Sequence, residues 1–439
     1  MDQTEALIIE TIDRHREEIL EFARDIYSHA ELGYKEFQTS GKFVKKMEQL
    51  GLRTEKGFAI TGVKAYLNED KKENASLALL GELDALRIPE HAFANPETNA
   101  AHCCGHHAQM AGVFGAALAL TVPEIAEKLD GQVVFFATPA EEYGEIEFKN
   151  QLREQGKIRY GGGGKCELLR IGAFDDIDLC LTHHIRPGNE ILVGNGTGNG
   201  FVSKVIRVLG KASHAAGAPE KGVNALSAAS LGLQALGLNR ETFRDEDCVR
   251  VHPIITKGGN LVNVIPDEVV VETLVRGKTI EAFTDAAKKT DRSFKAGAIA
   301  MGAKVEISTL PGYLPTLAEE ALPELKHAAE ISASGIPVIE ASGHAGGSTD
   351  VGDVQHLMPV YTFNTGGVKG GLHQIDFEVT NEEEAYIVTA KMFALAAYGL
   401  LKEKAQRSRE LVDQYEPVFK NSAEYVEFME QFDSKEIFE

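Results

Sequence analysis

Five short polar clusters in this chain combine residue types that can hold a metal ion or move a proton. They are Gly81-Glu82-Leu83-Asp84-Ala85-Leu86, His102-Cys103-Cys104-Gly105-His106-His107, Pro139-Ala140-Glu141-Glu142, Thr182-His183-His184-Ile185-Arg186-Pro187-Gly188 and Gly371-Leu372-His373. Thiolate, imidazole and carboxylate together are what a zinc or manganese site requires. Cys104 and His106 stand two apart, so both can face one point if the backbone is extended or turning there. Adjacent carboxylates at Glu141 and Glu142 allow one to bind a cation while the other takes a proton. Each cluster also has a plain structural reading: a lone Cys or His packs in a core, a Glu-Glu pair sits in a solvated loop, and an Asp after a strand caps a helix. The convergence of five clusters carries the metal-site reading.

The elements that must position these groups alternate as in an α/β protein. Helical periodicity covers 5–28 and 38–50, a strand pattern follows at 75–80, and a helix is predicted over 105–120. Short apolar runs at 133–136, 177–181 and 359–363 have strand length, and 382–402 reads as a long helix. The clusters thus fall at or near predicted strand ends, where open α/β sheets place their ligands. Between 197 and 310 the order changes to strand (201–209), helix (223–238), two strands (249–255, 268–276), helix (280–301) and strand (304–310). That is the split βαβ pattern of a small α+β domain. The expected organisation is therefore a first catalytic part at 1–196, an inserted domain at 197–311, and a second catalytic part at 312–439 ending in a surface helical extension.

With 439 residues the chain is too long for one core. Its 45 Lys+Arg against 66 Asp+Glu give a net charge of −21. That balance opposes binding to nucleic-acid phosphates or an anionic membrane. No run of apolar residues long enough to span a bilayer is predicted, and the acidic start MDQTEALIIETIDRHREEIL does not read as a secretory signal. Five cysteines, an odd number, suit metal binding or catalysis in a reducing cytoplasm better than a disulfide framework.

The ordered set Glu31-Leu32-Gly33-Tyr34-Lys35-Glu36, Gly81 to Leu86, Cys104-Gly105-His106 and Pro139-Ala140-Glu141-Glu142 resembles the aminoacylase/carboxypeptidase superfamily of dinuclear metallohydrolases. Within it the match is to the amidohydrolase branch of auxin-conjugate, N-acyl-amino-acid and aminobenzoyl-glutamate hydrolases. The run 346–354, Gly-Gly-Ser-Thr-Asp-Val-Gly-Asp-Val, looks most like the aminobenzoyl-glutamate hydrolase side, and the resemblance spans about 20–400. It implies a mixed-sheet α/β catalytic domain of the phosphorylase/hydrolase-like type with an inserted α+β ferredoxin-like lid and dimerisation domain.

Carried over by position, the resemblance implies Cys104, His106, Glu142, His184 and His373 as ligands of one or two divalent ions, zinc or manganese, with cobalt or nickel compatible. Glu141 matches the general base and Asp84 an acid that orients a ligand histidine. His184 is preferred over His183 because His-Ile-Arg-Pro-Gly matches His-x-x-Pro-Gly, which leaves His183 as a pocket neighbour. His214 matches a histidine that holds the developing oxyanion from a partner subunit, while Asn263 and Arg276 match carboxylate-gripping positions. Arg186, with Arg87, adds local positive charge suited to a carboxylate-bearing substrate. The chain departs from the family at His107, where Asp or Asn is usual, and at Arg87, where Pro is usual. It also inserts 143–159 between Glu142 and the glycine run Gly161-Gly162-Gly163-Gly164-Lys165, which lacks a phosphate-loop frame; beside the expected base, this insertion is expected to cap or reshape the pocket. The implied activity is hydrolysis of an amide C–N bond in a small N-acyl or aminobenzoyl amino acid or dipeptide. Hydrolytic deamination of an aminobenzoate on the same site, or metal or peptide binding without catalysis, are the alternatives. A homodimer or larger homo-oligomer through the inserted domain is expected.

Overall fold

The computed structural model describes residues 1–160 and 162–439; Gly161, the first glycine of the run above, lies outside the described residues. Contacts divide the chain into two units. The first is Met1–Gly196 with Leu317–Gly343 and Asp353–Ser422, and the second is Thr197–Thr316 with His344–Gly352 and Ala423–Glu439.

The first unit is built on an eight-stranded mixed sheet. Its strands lie in the order Arg53–Phe58, Gly62–Leu67, Gln132–Thr138, Ser76–Glu82, Leu179–Ile185, Val360–Thr365, Ile191–Val193, Val338–Glu340. The four central strands, from Gln132–Thr138 to Val360–Thr365, run parallel. Every residue of Ser76–Glu82 and of Gln132–Thr138 is buried, which is why they read as unbroken apolar runs: parallel strands are covered on both faces. Leu79, Phe135 and Leu181 face one large core shared with the fully buried helix His106–Leu120. On the other face Phe136 packs on Phe174, ring centroids 5.1 Å apart.

A helical stretch over Glu383–Gln414 is long and apolar enough to cross a bilayer by length and composition, contrary to the sequence expectation; 94% of its apolar window is buried. That is the burial of a core helix, here packed against His106–Leu120.

The second unit holds a five-stranded antiparallel sheet in the order Arg250–Lys257, Glu268–Gly277, Gly200–Leu209, Lys304–Pro311, Ser434–Phe438. Its first four strands, with helices Ala225–Leu238 and Ile280–Met301, follow the strand–helix–strand–strand–helix–strand order of the sequence reading. Phe294 and Leu236 from the helices close a core on Ile206, Val271 and Ile307. The stretch 403–439 is not helix throughout. After a helix at Ser422–Glu430 it ends as the strand Ser434–Phe438, which pairs with Lys304–Pro311. Five residues of edge strand are too few for alternation to show in the sequence.

Candidate metal centre

The central parallel strands deliver the chemistry at their carboxyl ends. Asp84 lies two residues past the end of Ser76–Glu82, Glu141 and Glu142 follow Gln132–Thr138, and His184 is the penultimate residue of Leu179–Ile185. Cys104 sits just before the helix His106–Leu120, joined to it by Gly105 at φ +84°. A Cβ at Gly105 would stand 2.0 Å from Ile185 Cγ2, so only glycine lets this turn approach the neighbouring strand. His373, itself at φ +62°, is tied by its N–H to the Cys103 carbonyl at 3.0 Å. A non-glycine residue held there stores strain of the kind that collects at functional sites.

Cys104 Sγ is the hub. It lies 3.3 Å from His184 Nε2 and 3.3 Å from His373 Nε2, and His373 Nε2 is 3.1 Å from Glu142 Oε1. Two donor groups therefore share one sulfur: Cys104–His106–His184 and Cys104–Glu142–His373, each with its ligand atoms within 4.8 Å of one another. The tautomers follow from the partners. His106 Nδ1 faces the Asp84 carbonyl (2.9 Å) and Oδ1 (3.2 Å), and His184 Nδ1 faces the Ile185 carbonyl (2.8 Å). Carbonyl oxygens only accept, so Nδ1 carries the proton in both rings and Nε2 is left to bind. His106 Nε2 and Glu142 Oε1 are buried and make no hydrogen bond, only ion-pair contacts with Glu82 and His373. A divalent cation fits that donor set, since both atoms lack a hydrogen bond and the cation suits mixed thiolate, imidazole and carboxylate.

Asp84 is fully buried and does two jobs. Oδ1 receives the His106 ring proton and Oδ2 the Glu142 N–H at 2.9 Å. Burial works to raise its pKa, but the His106 contact and the Glu142 amide hold it below the usual aspartate range. Glu141 is 7% exposed, with Oε2 4.0 Å from His106 Nε2.

Glu82, absent from the sequence expectation, completes a third donor group with His106 and Glu141. Its Oε2 lies 3.1 Å from His106 Nε2 and accepts Gln109 Nε2 at 2.8 Å; Oε1 accepts Lys165 Nζ at 2.5 Å. Burial opposes its charge, yet Lys165 and then His106 pull it down to about 2. The only sequence signal was its place in Gly-Glu-Leu-Asp; the lysine that neutralises it is distant in sequence. Replacing Lys165 with Met strands a buried carboxylate, and the expected loss is about 3–5 kcal/mol of unfolding free energy, read by denaturant titration.

Burial, then Glu142, pushes the Cys104 thiol well above its ordinary value. His106 is also raised: burial works against its charge, but Glu82 and Cys104 outweigh it. Both must release protons before they can bind a cation. Apparent metal affinity should therefore climb as pH rises and fall steadily toward acid, with proton release on binding. Calorimetry in buffers of different ionisation enthalpy measures that release directly; a pH-independent affinity would contradict it.

His183 does not line the site, a correction to the sequence reading. The strand Leu179–Ile185 extends beyond the predicted 177–181, and its alternation turns His183 and His184 to opposite faces. His183 is 1% exposed, with Nε2 2.8 Å from Thr365 Oγ1 and its ring against Phe363 and Phe393. His107 is likewise a core residue, with Nε2 3.1 Å from the Tyr386 hydroxyl. Arg186 is half-buried and donates to Glu190 Oε1 at 2.8 Å.

In the second unit, exposed His214 accepts the Ala216 and Gly217 amides at Nδ1 (3.2 and 2.9 Å), which leaves its proton on Nε2. The neighbouring Ala215 N–H donates to the Asn263 carbonyl at 3.0 Å, so His214 and Asn263 are held together. Arg276 lies over the Phe201 ring and donates to Ser348 Oγ at 2.8 Å, within the Gly346-Gly347-Ser348 run.

Donor triads that share one thiolate, set at the strand ends of a mixed α/β sheet beside a buried glutamate, are the equipment of a metallohydrolase. Residues 78–398 match the model of Peptidase family M20/M25/M40, and the chain belongs to that family as a metallo-amidohydrolase of small substrates. It is 27% identical over 409 residues to the Xaa-Arg dipeptidase of Mus musculus, covering 90% of this chain and 85% of that one. It is also 27% identical to one of the chains of the p-aminobenzoyl-glutamate hydrolase of Escherichia coli, over 70% of this chain and 60% of the relative. A solved dinuclear metal-binding M20 peptidase from Bacillus subtilis shares the fold, with TM-score 0.60 at 23% identity over 89% of this chain and 99% of that one.

Proposed function

We propose that this enzyme hydrolyses the amide bond of a small carboxylate-bearing substrate, an N-acyl or aminobenzoyl amino acid or a dipeptide. The observation that carries the reading is the pair of donor groups meeting at Cys104 with Glu141 beside them. Cys104, His106 and His184 would hold one divalent ion, and Cys104, Glu142 and His373 a second, zinc or manganese by donor type. Ions held there supply Lewis acidity toward a carbonyl and toward water.

The chain's own residues do the rest. Glu141 takes the proton of the attacking water and delivers it to the leaving nitrogen. Asp84 fixes the His106 ring and the Glu142 backbone. His214, with its proton on Nε2, is a donor suited to a developing oxyanion. Asn263 and Arg276 hold the substrate carboxylate; the charge of Arg186 is offset by Glu190. The second unit acts as lid and as the surface for homodimerisation, and the enzyme works in the cytoplasm.

The rival reaction, ammonia release from an aminobenzoate, gains nothing from His107, where the family has Asp or Asn, because that residue is buried against Tyr386. Metal analysis followed by a screen of N-acyl amino acids, dipeptides, aminobenzoyl-glutamate and aminobenzoates tests the proposal. Free amino acid released from an amide supports it. Ammonia without acyl cleavage establishes the rival, and metal uptake with no turnover of any class points to a binding protein.

A further inference from the structure

The segment 143–159 folds largely into the helix Ile146–Glu154, and that helix brings a lysine inside the protein. Lys149 is 2% exposed. A buried ammonium is costly unless charge and hydrogen bonds compensate it. Its Nζ donates to the backbone carbonyl of Glu142 at 2.5 Å and lies 5.7 Å from the ring centres of both Tyr34 and Tyr143. Burial lowers its pKa, against the pull of Asp84, Glu36, Glu142 and Glu141. At the start of the helix, Glu145 accepts Lys35 Nζ with both oxygens at 2.9 and 2.8 Å, and the same ammonium stands 4.1 Å from the Phe148 ring centre.

The peptide groups that carry Glu141 and Glu142 are pinned on several sides. Ala140, strained at φ +48°, donates its N–H to Glu36 Oε1 at 2.8 Å, and its carbonyl accepts the Gly164 N–H at 2.9 Å. Gly164 can come that close only without a side chain, since a Cβ would stand 1.7 Å from the Pro139 carbonyl oxygen. Glu142 donates its N–H to Asp84, and its carbonyl takes Lys149. Glu36, Gly164 and Asp84 hold the loop from outside 143–159; that segment supplies Lys149 and the Gly144 N–H, which also reaches the Glu142 carbonyl at 2.9 Å.

We propose that Lys149 is a positioning residue: it fastens the Glu142 peptide and so aims the Glu141 and Glu142 side chains from behind the donor groups. The segment is thus a brace for the catalytic loop. The inference rests on the reading of Glu141 and Glu142 as site residues.

The test compares Lys149→Met and Lys149→Arg with wild type in two ways. On metal-free protein, hydrogen exchange of peptides covering 139–145 should speed up in K149M, while the strand Gln132–Thr138 stays protected. On metal-saturated enzyme, kcat should fall about 10–100-fold with KM nearly unchanged, and K149R should recover most of the loss. Wild-type exchange and kcat in K149M would overturn the proposal, even if its Tm dropped, because the lysine would then serve the fold alone. If K149M does not fold, Lys149→Gln, which keeps a donor without the charge, is read against the same two outcomes. Wild type that takes up no metal would refute the metal-centre reading instead, and the exchange comparison would still decide the role of Lys149.

Discussion

Glu141→Ala should retain metal and lose about 100- to 10,000-fold in kcat, the usual contribution of a positioned general base. Glu141 belongs to the Glu82–His106 donor group, but neither of the groups that share Cys104 needs it. Metal content measured on the purified variant should therefore match wild type while turnover collapses. The split matters, since a mutant that lost both would make Glu141 a ligand and not a base. An active Glu141→Ala enzyme would sink the mechanism outright.

Removal of Cys104 should have the opposite signature. Its sulfur is common to two donor groups, so Cys104→Ala leaves each with only two protein donors. Metal content should fall sharply, and kcat/KM at least as far as in Glu141→Ala. Stability reports the same loss independently of substrate. Bound metal stabilises the wild type by about 2.7 kcal/mol at a hundredfold excess over Kd, so thermal unfolding with and without added metal should separate in wild type and coincide in Cys104→Ala. The thiol is buried and small, and its truncation alone leaves little cavity. A Cys104→Ala variant with unaltered metal content would refute the shared-sulfur arrangement.

Residue types alone point to a metal site at the strand ends; which residues would hold the ion is implied by the family resemblance. Soft and hard donors had to follow strand ends, and Cys104, His106, Glu142, His184 and His373 do converge, with Asp84 behind His106. What escaped was set by contacts distant in sequence. Nothing in Gly-Glu-Leu-Asp announces that Glu82 is neutralised by Lys165, because partners of a buried charge leave no periodic trace. His183 was misplaced because the apolar run ends before the strand does: once hydrogen bonding carries Leu179–Ile185 through both histidines, alternation sends them to opposite faces. The segment 143–159 is expected from sequence to cap or reshape the pocket, but nothing in it marks Lys149 as buried, since a lysine in a charged stretch looks like surface. The central strands stood out as apolar runs for the reason that blurred their ends: burial on both faces removes the alternation that marks where a strand stops.

The strand Ser434–Phe438 has a consequence for how the chain is made. The second unit draws on three stretches, the last reaching Glu439, and the first unit draws on three of its own. On the ribosome, Lys304–Pro311 emerges well over a hundred residues before the strand that will lie beside it. Until then its outer edge carries unpaired amides and carbonyls, a template for the wrong neighbour. Pairing across such separations is slow to find, so each unit is completed only once its last stretch has emerged, and until then the nascent chain is open to chaperones and to aggregation.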